Sequence, residues 1–170
     1  SLDAKGEVAQ RQIALLCSLA PYVHSQEQAT NFLTLATPLL RKTNKAVPEK
    51  VKTDLLKIVT ALYPLARPEP GTPLYDRCSE VISQLFSSAR GRNARLQLVA
   101  AFNSVASVDD SYAEVAHLVD ELNSYSVKRS EEPDFDRRLA AFSKLNEDLY
   151  RTLRPADWVV ILNNMLFFVQ

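Results

Sequence analysis

The sequence predicts an all-α fold in which helical hairpins stack side by side as an α-solenoid. Only 3 of the 170 residues are glycine, whereas β-hairpins normally use glycine-containing turns. The apolar residues recur at spacings of three and four instead of alternating, which is the pattern of helices with one buried face. The helical segments also repeat in pairs with a nearly constant period, as in repeat proteins.

Composition limits the classes of function. Hydrophobic residues make up 46% of the chain and charged residues 24%, which is enough for a continuous core. The 20 basic residues are balanced by 20 acidic ones, so any binding of nucleic acid must depend on local clusters. No run approaches the roughly 18 apolar residues of a membrane span, and the first ten residues lack the features of a signal peptide. We therefore expect a soluble, intracellular protein with no membrane partner.

Eight helical segments are predicted. They cover residues 7–20, 26–43, 48–66, 73–89, 92–106, 112–125, 134–153 and 155–169. The third segment carries one apolar stripe, formed by Val51, Leu55, Ile58, Leu62 and Leu65. The fourth, sixth and seventh have similar stripes, although Asn146 interrupts the seventh. The eighth segment is apolar on more than one side.

Residues at the segment ends agree with this division. Ser25 with Gln28, and Ser111 with Glu114, have the spacing of a capping box, in which each side chain satisfies a backbone donor at a helix start. Pro38 lies inside the second segment and is expected to kink that helix or end it early.

Taken in pairs, the first helices begin near residues 7, 48, 92 and 134, so the spacings are 41, 44 and 42. This period is typical of HEAT/armadillo-like solenoids and predicts about four helical hairpins, whose partners are the neighbouring repeats of the same chain. The Ala-Ala-Phe triplets at 100–102 and 140–142 support it. Because the eighth helix has no polar outer face, we expect residues 1–170 to be one solenoid segment of a longer HEAT-repeat protein.

Motifs for catalysis or for a cofactor are not found. The sequence has no phosphate-binding glycine loop, no GxSxG and no HExxH, and His24 and His117 lack the neighbours that a metal site would need. The acidic residues Glu131, Glu132, Asp134 and Asp136 precede the seventh helix, where they favour the positive end of the helix dipole. We interpret them as capping residues. The sequence thus predicts a non-enzymatic protein that needs no cofactor and no metal.

Trp158 and the two cysteines, Cys17 and Cys78, lie on apolar helical stripes. The tryptophan is interpreted as a core or inter-repeat packing residue. The cysteines are interpreted as reduced thiols within the core.

Basic residues gather at the handover turns, which are the turns where one hairpin passes to the next. The first is flanked by Arg41, Lys42, Lys45, Lys50 and Lys52. Handover turns of a solenoid share one edge, so these groups could form a stripe that matches a phosphate backbone. The alternative is that exposed turns are simply rich in solvated Lys and Arg. The candidate RNA-binding residues are at the second and third handovers, and all are expected to be exposed: Arg90, Arg92, Arg95, Lys128, Arg129, Arg137 and Arg138.

Residues 122–142, LNSYSVKRSEEPDFDRRLAAF, followed by Asn146-Glu147 and Trp158, resemble the DRIM (down-regulated in metastasis) family. Its members are very large HEAT-repeat proteins of the small-subunit processome. The likeness covers residues 113–170. It implies an architectural role in assembly and processing of the small-subunit precursor of the ribosome, in the nucleolus within the nucleus. It also implies pre-ribosomal RNA (pre-18S rRNA), small nucleolar RNA and other assembly factors as partners.

Two other classes of function stay open at this stage. One is a HEAT/armadillo protein-binding adaptor, such as a transport receptor or a trafficking scaffold. The other is an enzyme that uses the acidic residues before the seventh helix. Binding to RNA at low salt would separate the processome role from the adaptor role.

Overall fold

The computed structural model describes residues 2–129 and 131–169, and the fold is all-α, as predicted. Its helices are α1 (Leu2–Leu19), α2 (Gln26–Leu40), α3 (Glu49–Ala66), α4 (Pro73–Ser88), α5 (Arg92–Ala106), α6 (Ala113–Leu122), α7 (Phe135–Ser143), α8 (Glu147–Thr152) and α9 (Pro155–Phe168). Short 3-10 turns cover Ala20–Tyr22 and Asp110–Tyr112. Across the described ranges, no helix combines the length and the apolar character that crossing a bilayer requires.

The caps at helix ends were predicted correctly at one place and wrongly at another. At α2, the Ser25 hydroxyl accepts a hydrogen bond from the Gln28 backbone amide, and Gln28 Oε1 accepts one from the Ser25 backbone amide, which confirms the capping box. The box predicted from Ser111 and Glu114 is wrong. Asp109 accepts from the Ser111 amide at 3.0 Å and caps a 3-10 turn, so α6 begins only after that turn.

The seventh predicted helix, 134–153, is two helices in the structure. α7 ends at Ser143, and Asn146 begins α8 by accepting a hydrogen bond from the Leu149 amide at 3.0 Å. Asparagine competes for backbone donors and therefore favours caps over helix interiors. Asn146, which interrupted the apolar stripe in the sequence, thus lies where one helix ends and the next begins.

The first five helices form two layers. In one layer α1 packs on α3, and α3 packs extensively on α5; in the other, α2 packs on α4. Polar contacts join positions about one period apart. Gln26 Nε2 donates to the Ala66 carbonyl at 3.0 Å, and Ser104 Oγ donates to the Thr60 carbonyl at 2.8 Å. These pairs are 40 and 44 residues apart in sequence, and they tie α2 to α3 and α3 to α5.

The last helix departs from sequential stacking. α9 packs mainly on α4, with smaller contacts to α6. Its inner face buries Val160, Ile161 and Asn164, and Asn163 Nδ2 donates to Ser83 Oγ of α4 at 3.1 Å. The inner face of this apolar helix is therefore covered within the chain. Its outer face stays exposed, as at Leu162 (59%).

Trp158 and the cysteines have the packing roles that were predicted for them. Trp158 is half-buried against the core, with its ring centroid 5.7 Å from that of Tyr150. Cys78 is buried, Cys17 is half-buried, and both thiols are free. Burial raises the pKa of the Cys78 thiol above its ordinary value, which keeps the group protonated at neutral pH.

Docking of α9 on α4 can be tested with two neighbouring residues. Replacing Ile161, which is 1% exposed, with alanine leaves a cavity in the interface. We expect it to lower the free energy of unfolding by about 2 to 4 kcal/mol. The matched control, Leu162→Ala, truncates an exposed side chain and should change it by less than about 0.5 kcal/mol. Urea denaturation followed by circular dichroism measures both values, and equal effects would contradict this docking.

Candidate nucleic-acid interface

The three handover turns lie close together along one edge, which we call the handover edge. It consists of the α2–α3 turn (41–48) with the start of α3, the α4–α5 turn (89–91), and the described residues of the α6–α7 loop (123–129 and 131–134). Glu49, at the start of α3, accepts hydrogen bonds from the backbone amides of Arg90 at 2.7 Å and Gly91 at 2.8 Å. Arg92 at the start of α5 lies 3.8 Å from the Glu131 carboxylate in the third turn. Carboxylates therefore join each turn to the next.

Gly91 permits this close approach. A Cβ atom at residue 91 would lie 2.8 Å from the Glu49 carboxylate oxygen, which is closer than side-chain carbons approach other atoms. The φ angle of Gly91 is −68°, so the backbone is in an ordinary conformation. The glycine thus provides space for the carboxylate.

Arg92 and Arg138 meet on the ring of Tyr125. The guanidinium carbons lie 5.1 Å and 5.0 Å from the ring centroid, both within the range of cation–π attraction. Arg138 also donates to the Ser124 carbonyl at 2.9 Å, which fixes its position. Two cationic groups that are 46 positions apart in sequence therefore share one aromatic platform, which we call the Arg–Tyr cluster (Arg92, Tyr125 and Arg138).

Arg95 does not lie on the surface, and the expectation that it is exposed is wrong. The residue is 1% exposed, and its Nη1 donates to the carbonyls of Phe86 at 2.8 Å and Ala89 at 3.0 Å. Its Nε donates to Asn123 Oδ1 at 2.8 Å, and its Nη2 donates to Asn164 Oδ1. The side chain points between α4, α6 and α9 instead of outward, so it is unavailable to a ligand.

The electrostatics of Arg95 follow from this environment. Burial lowers the pKa of its guanidinium to about 10, so the group is still charged at neutral pH. The Phe167 ring lies 3.8 Å from the guanidinium carbon and covers one face of the charge. Four oxygen acceptors and an aromatic face thus replace the water that the cation loses.

The other candidates are near the surface, and several have acidic partners. Arg129 Nη1 lies 3.2 Å from Glu132, and Arg137 Nε lies 3.2 Å from Glu121. The hydrogen bond from Arg137 holds the pKa of the Glu121 carboxyl below its usual range. Lys128 is exposed in the third turn. These carboxylates reduce the positive field of the handover edge without removing its hydrogen-bond donors.

Arg90 is exposed in the second turn, with its guanidinium carbon 5.9 Å from the Phe167 ring. It therefore approaches the same Phe167 ring that Arg95 contacts from within the core. Arg90 is exposed in the turn, whereas Arg95, in the first turn of α5, is buried beneath it.

The acidic residues before α7 have two roles. The Asp134 side chain accepts from the Arg137 amide at 3.1 Å and caps α7, as interpreted from the sequence. Glu131 and Glu132 instead pair with Arg92 and Arg129 across and within the handover edge. The described residues contain no group of three or more His, Cys, Asp or Glu side chains placed to hold a metal ion.

Sequence reasoning missed the aromatic and amide residues of this region. Tyr125 supports two arginines, and Asn123 Nδ2 donates to Asn164 Oδ1 at 2.9 Å beside Arg95. One signal was available, since Asn123 and Asn164 are 41 residues apart, which is one repeat period. Tyr125 gave no comparable signal, because its partners are brought to it only by the packing of α5 and α7 around α6.

Comparison with known proteins identifies the family. Residues 2–170 match the family described as U3 small nucleolar RNA-associated protein 20, N-terminal. The chain is 30% identical over 159 residues to the U3 small nucleolar RNA-associated protein 20 of Schizosaccharomyces pombe, which covers 93% of the chain and 6% of that protein. It is 35% identical over 89 residues to the Saccharomyces cerevisiae protein of the same name, covering 52% of the chain and 4% of that protein. No solved structure matches the chain.

The structural role of Arg95 can be tested by truncation. Arg95→Ala leaves two carbonyls and the Asn123 oxygen without their donor, so we expect the free energy of unfolding to fall by about 3 kcal/mol or more. Arg129→Ala, whose parent side chain is 74% exposed, is the matched control and should cost less than about 0.5 kcal/mol. Thermal or urea unfolding gives both values. If the two substitutions prove equally mild, the buried network does not support the fold.

Proposed function

This chain belongs to the family of U3 small nucleolar RNA-associated protein 20, the DRIM family of the small-subunit processome, and we propose that it is an architectural segment that binds RNA through its handover edge. The segment acts as a scaffold in assembly of the small-subunit precursor, within the nucleolus. Its RNA partners are pre-ribosomal RNA and small nucleolar RNA, and other assembly factors bind the same large protein. The chain spans only 6% and 4% of the length of the two relatives, so the role of those whole proteins comes to this chain only as part of the proposal.

The Arg–Tyr cluster is the observation that carries the RNA proposal. Arg92 and Arg138 hold their guanidinium groups on one tyrosine ring, at 5.1 Å and 5.0 Å. Guanidinium groups bind phosphate oxygens through paired N–H donors, and their planes also stack on unpaired bases. Single-stranded RNA presents both groups, phosphates along its backbone and base faces along its length. Arg90, Lys128 and Arg129 extend the cationic surface on either side.

The carboxylates of the handover edge set the expected strength of binding. Glu131 and Glu132 compete with phosphate for Arg92 and Arg129. Binding by one segment should therefore be moderate and should weaken with salt, because each neutralised phosphate releases counterions. Such weak sites suit a large scaffold, in which many segments act together and raise the overall affinity.

A protein-binding adaptor is the second candidate function, and the outer face of α9 favours it. Val159, Leu162 and Leu166 recur at helical spacing and are 52%, 59% and 47% exposed. An apolar helical face of this kind can pack against a helix of a folded partner. This surface is separate from the handover edge, so substitutions can test the two functions independently.

Charge removal on the handover edge tests the RNA proposal. We expect the triple variant Arg90→Gln, Lys128→Gln and Arg129→Gln to bind a single-stranded oligouridylate more weakly than the unmodified chain. The plot of log affinity against log salt should flatten by roughly 2, since each single-strand contact contributes about −0.7 to its slope. Fluorescence anisotropy at several salt concentrations measures both quantities, and circular dichroism should report unchanged helicity.

The control removes the same number of charges elsewhere. Arg11, Lys57 and Arg151 are exposed on α1, α3 and α8, and their side chains are 79%, 62% and 70% exposed. Replacing these three with glutamine should leave the salt slope unchanged. An identical slope in both triple variants, with no weaker binding on Arg92→Gln or Arg138→Gln, would contradict the RNA proposal and favour the protein-binding adaptor.

A further inference from the structure

A basic cavity lies beside the first handover turn, between the end of α2 and the end of α4. Its volume is about 510 Å3, and its polar lining includes Lys42, Asn44, Lys52, Ser87 and Ser88. Leu40 and Leu85 form its apolar wall. The cavity is far larger than one phosphate group and has room for the sugar attached to it.

Lys52 is the unusual residue of this cavity. It is only 7% exposed, although lysine is rarely buried without a charged partner. Its ammonium donates to Asn44 Oδ1 at 2.8 Å, and this is its one hydrogen bond among the described residues. A lysine ammonium has three donors, so two N–H groups are left for a ligand. Burial lowers the pKa of the Lys52 ammonium, and the nearby Glu49 carboxylate opposes this shift in part.

The charge of the lining distinguishes this cavity from its neighbours. No carboxylate lines it, whereas the groove between α3 and α5 is lined by Asp54 and Glu131 and that between α2 and α4 by Glu69. Arg41 also lines the cavity. It forms an ion pair with Glu80, which is not among the lining residues. Three cations with hydroxyl and amide groups, and no acidic residue, form a site for an anion with several oxygen acceptors.

The position of the cavity connects it with the handover edge. Lys52 follows Glu49 by three residues on α3, and Glu49 binds the backbone of the α4–α5 turn. Ser87 and Ser88 come directly before that turn. A polymer that lies along the handover edge therefore passes the mouth of the cavity, which favours a backbone phosphate over a free one.

From these observations we infer that the cavity around Lys52 binds a backbone phosphate of single-stranded RNA. Lys52 and Lys42 donate to the phosphate oxygens, and the hydroxyl of Ser88 borders the attached ribose. This inference rests on the proposed function, because it assigns a specific phosphate site to the same RNA-binding edge. It adds a site with one buried lysine to a surface whose other cations are more exposed and partly paired.

Two substitutions test the site in different ways. Lys52→Met keeps the aliphatic stem and removes the charge, and we expect about a tenfold loss of affinity for a single-stranded oligouridylate. Asn44→Asp keeps Lys52 and places a carboxylate next to it, so it should weaken binding by a similar factor while stabilising the fold around the ammonium. Asn44 is exposed, and this second variant therefore tests the site even where Lys52→Met unfolds the chain. Lys57→Met on the same helix and Asn31→Asp on α2 are the matched controls and should bind as the unmodified chain does.

A nuclear magnetic resonance titration reads the site directly. The side-chain ammonium signal of Lys52 should shift when oligouridylate is added, and its pKa should rise because a phosphate stabilises the charged form. Inorganic pyrophosphate serves as the second probe. If pyrophosphate shifts the Lys52 signal and oligouridylate does not, the ligand is a small anion and the inference is wrong.

The failure of this inference is distinguishable from that of the proposed function. If charge removal at Arg90, Lys128 and Arg129 weakens RNA binding while Lys52→Met and Asn44→Asp do not, only the cavity assignment fails. If the unmodified chain does not bind oligouridylate at low salt, both fail. A Lys52 signal that is unchanged by bound oligouridylate would also overturn the cavity assignment.

Discussion

The buried guanidinium of Arg95 is the interaction on which the C-terminal half of the structure depends. A cation removed from water requires nearly all of its donors to be satisfied. Its acceptors come from three different elements, which are the end of α4, the residue that ends α6, and α9. Because Asn123 and Asn164 also bond to each other, a displacement of any one element would leave several buried polar groups unpaired. One side chain therefore fixes the relative positions of helices that are distant in sequence.

The same network determines how the handover edge is presented. The Ala89 carbonyl accepts from Arg95 on the inside of the α4–α5 turn, while the next two amides donate to Glu49 on the outside. A turn held from both sides presents its side chains with little freedom to move. Arg92 and Arg138 are likewise held on the Tyr125 ring before any ligand arrives. Preorganised donors lose less entropy on binding, which partly offsets competition from nearby carboxylates.

The balanced charge of the chain conceals an uneven distribution. Arginines of the second and third turns stand beside carboxylates, whereas the cavity next to the first turn contains Lys52 and no carboxylate. The net charge of zero thus conceals two kinds of region, which are the paired charges of the second and third turns and the basic cavity beside the first turn. Under the inference above, a phosphate at this site would meet a buried lysine whose charge water screens less than that of an exposed one.

The sequence by itself determined the all-α class and the position of most helices, because these depend on local apolar spacing and on capping residues such as Ser25. The repeat period of about 41 to 44 residues stays a prediction. The sequence also marked Asn146, although not that the helix would break there. Tertiary structure alone decided that Arg95 points inward, that α9 returns to α4, and that Lys52 is buried beside a cavity. An arginine in the first turn of a helix has the same local pattern whether it is solvated or buried. The difference arises only when Asn164, 69 residues away, arrives with α9 to accept its hydrogen bond.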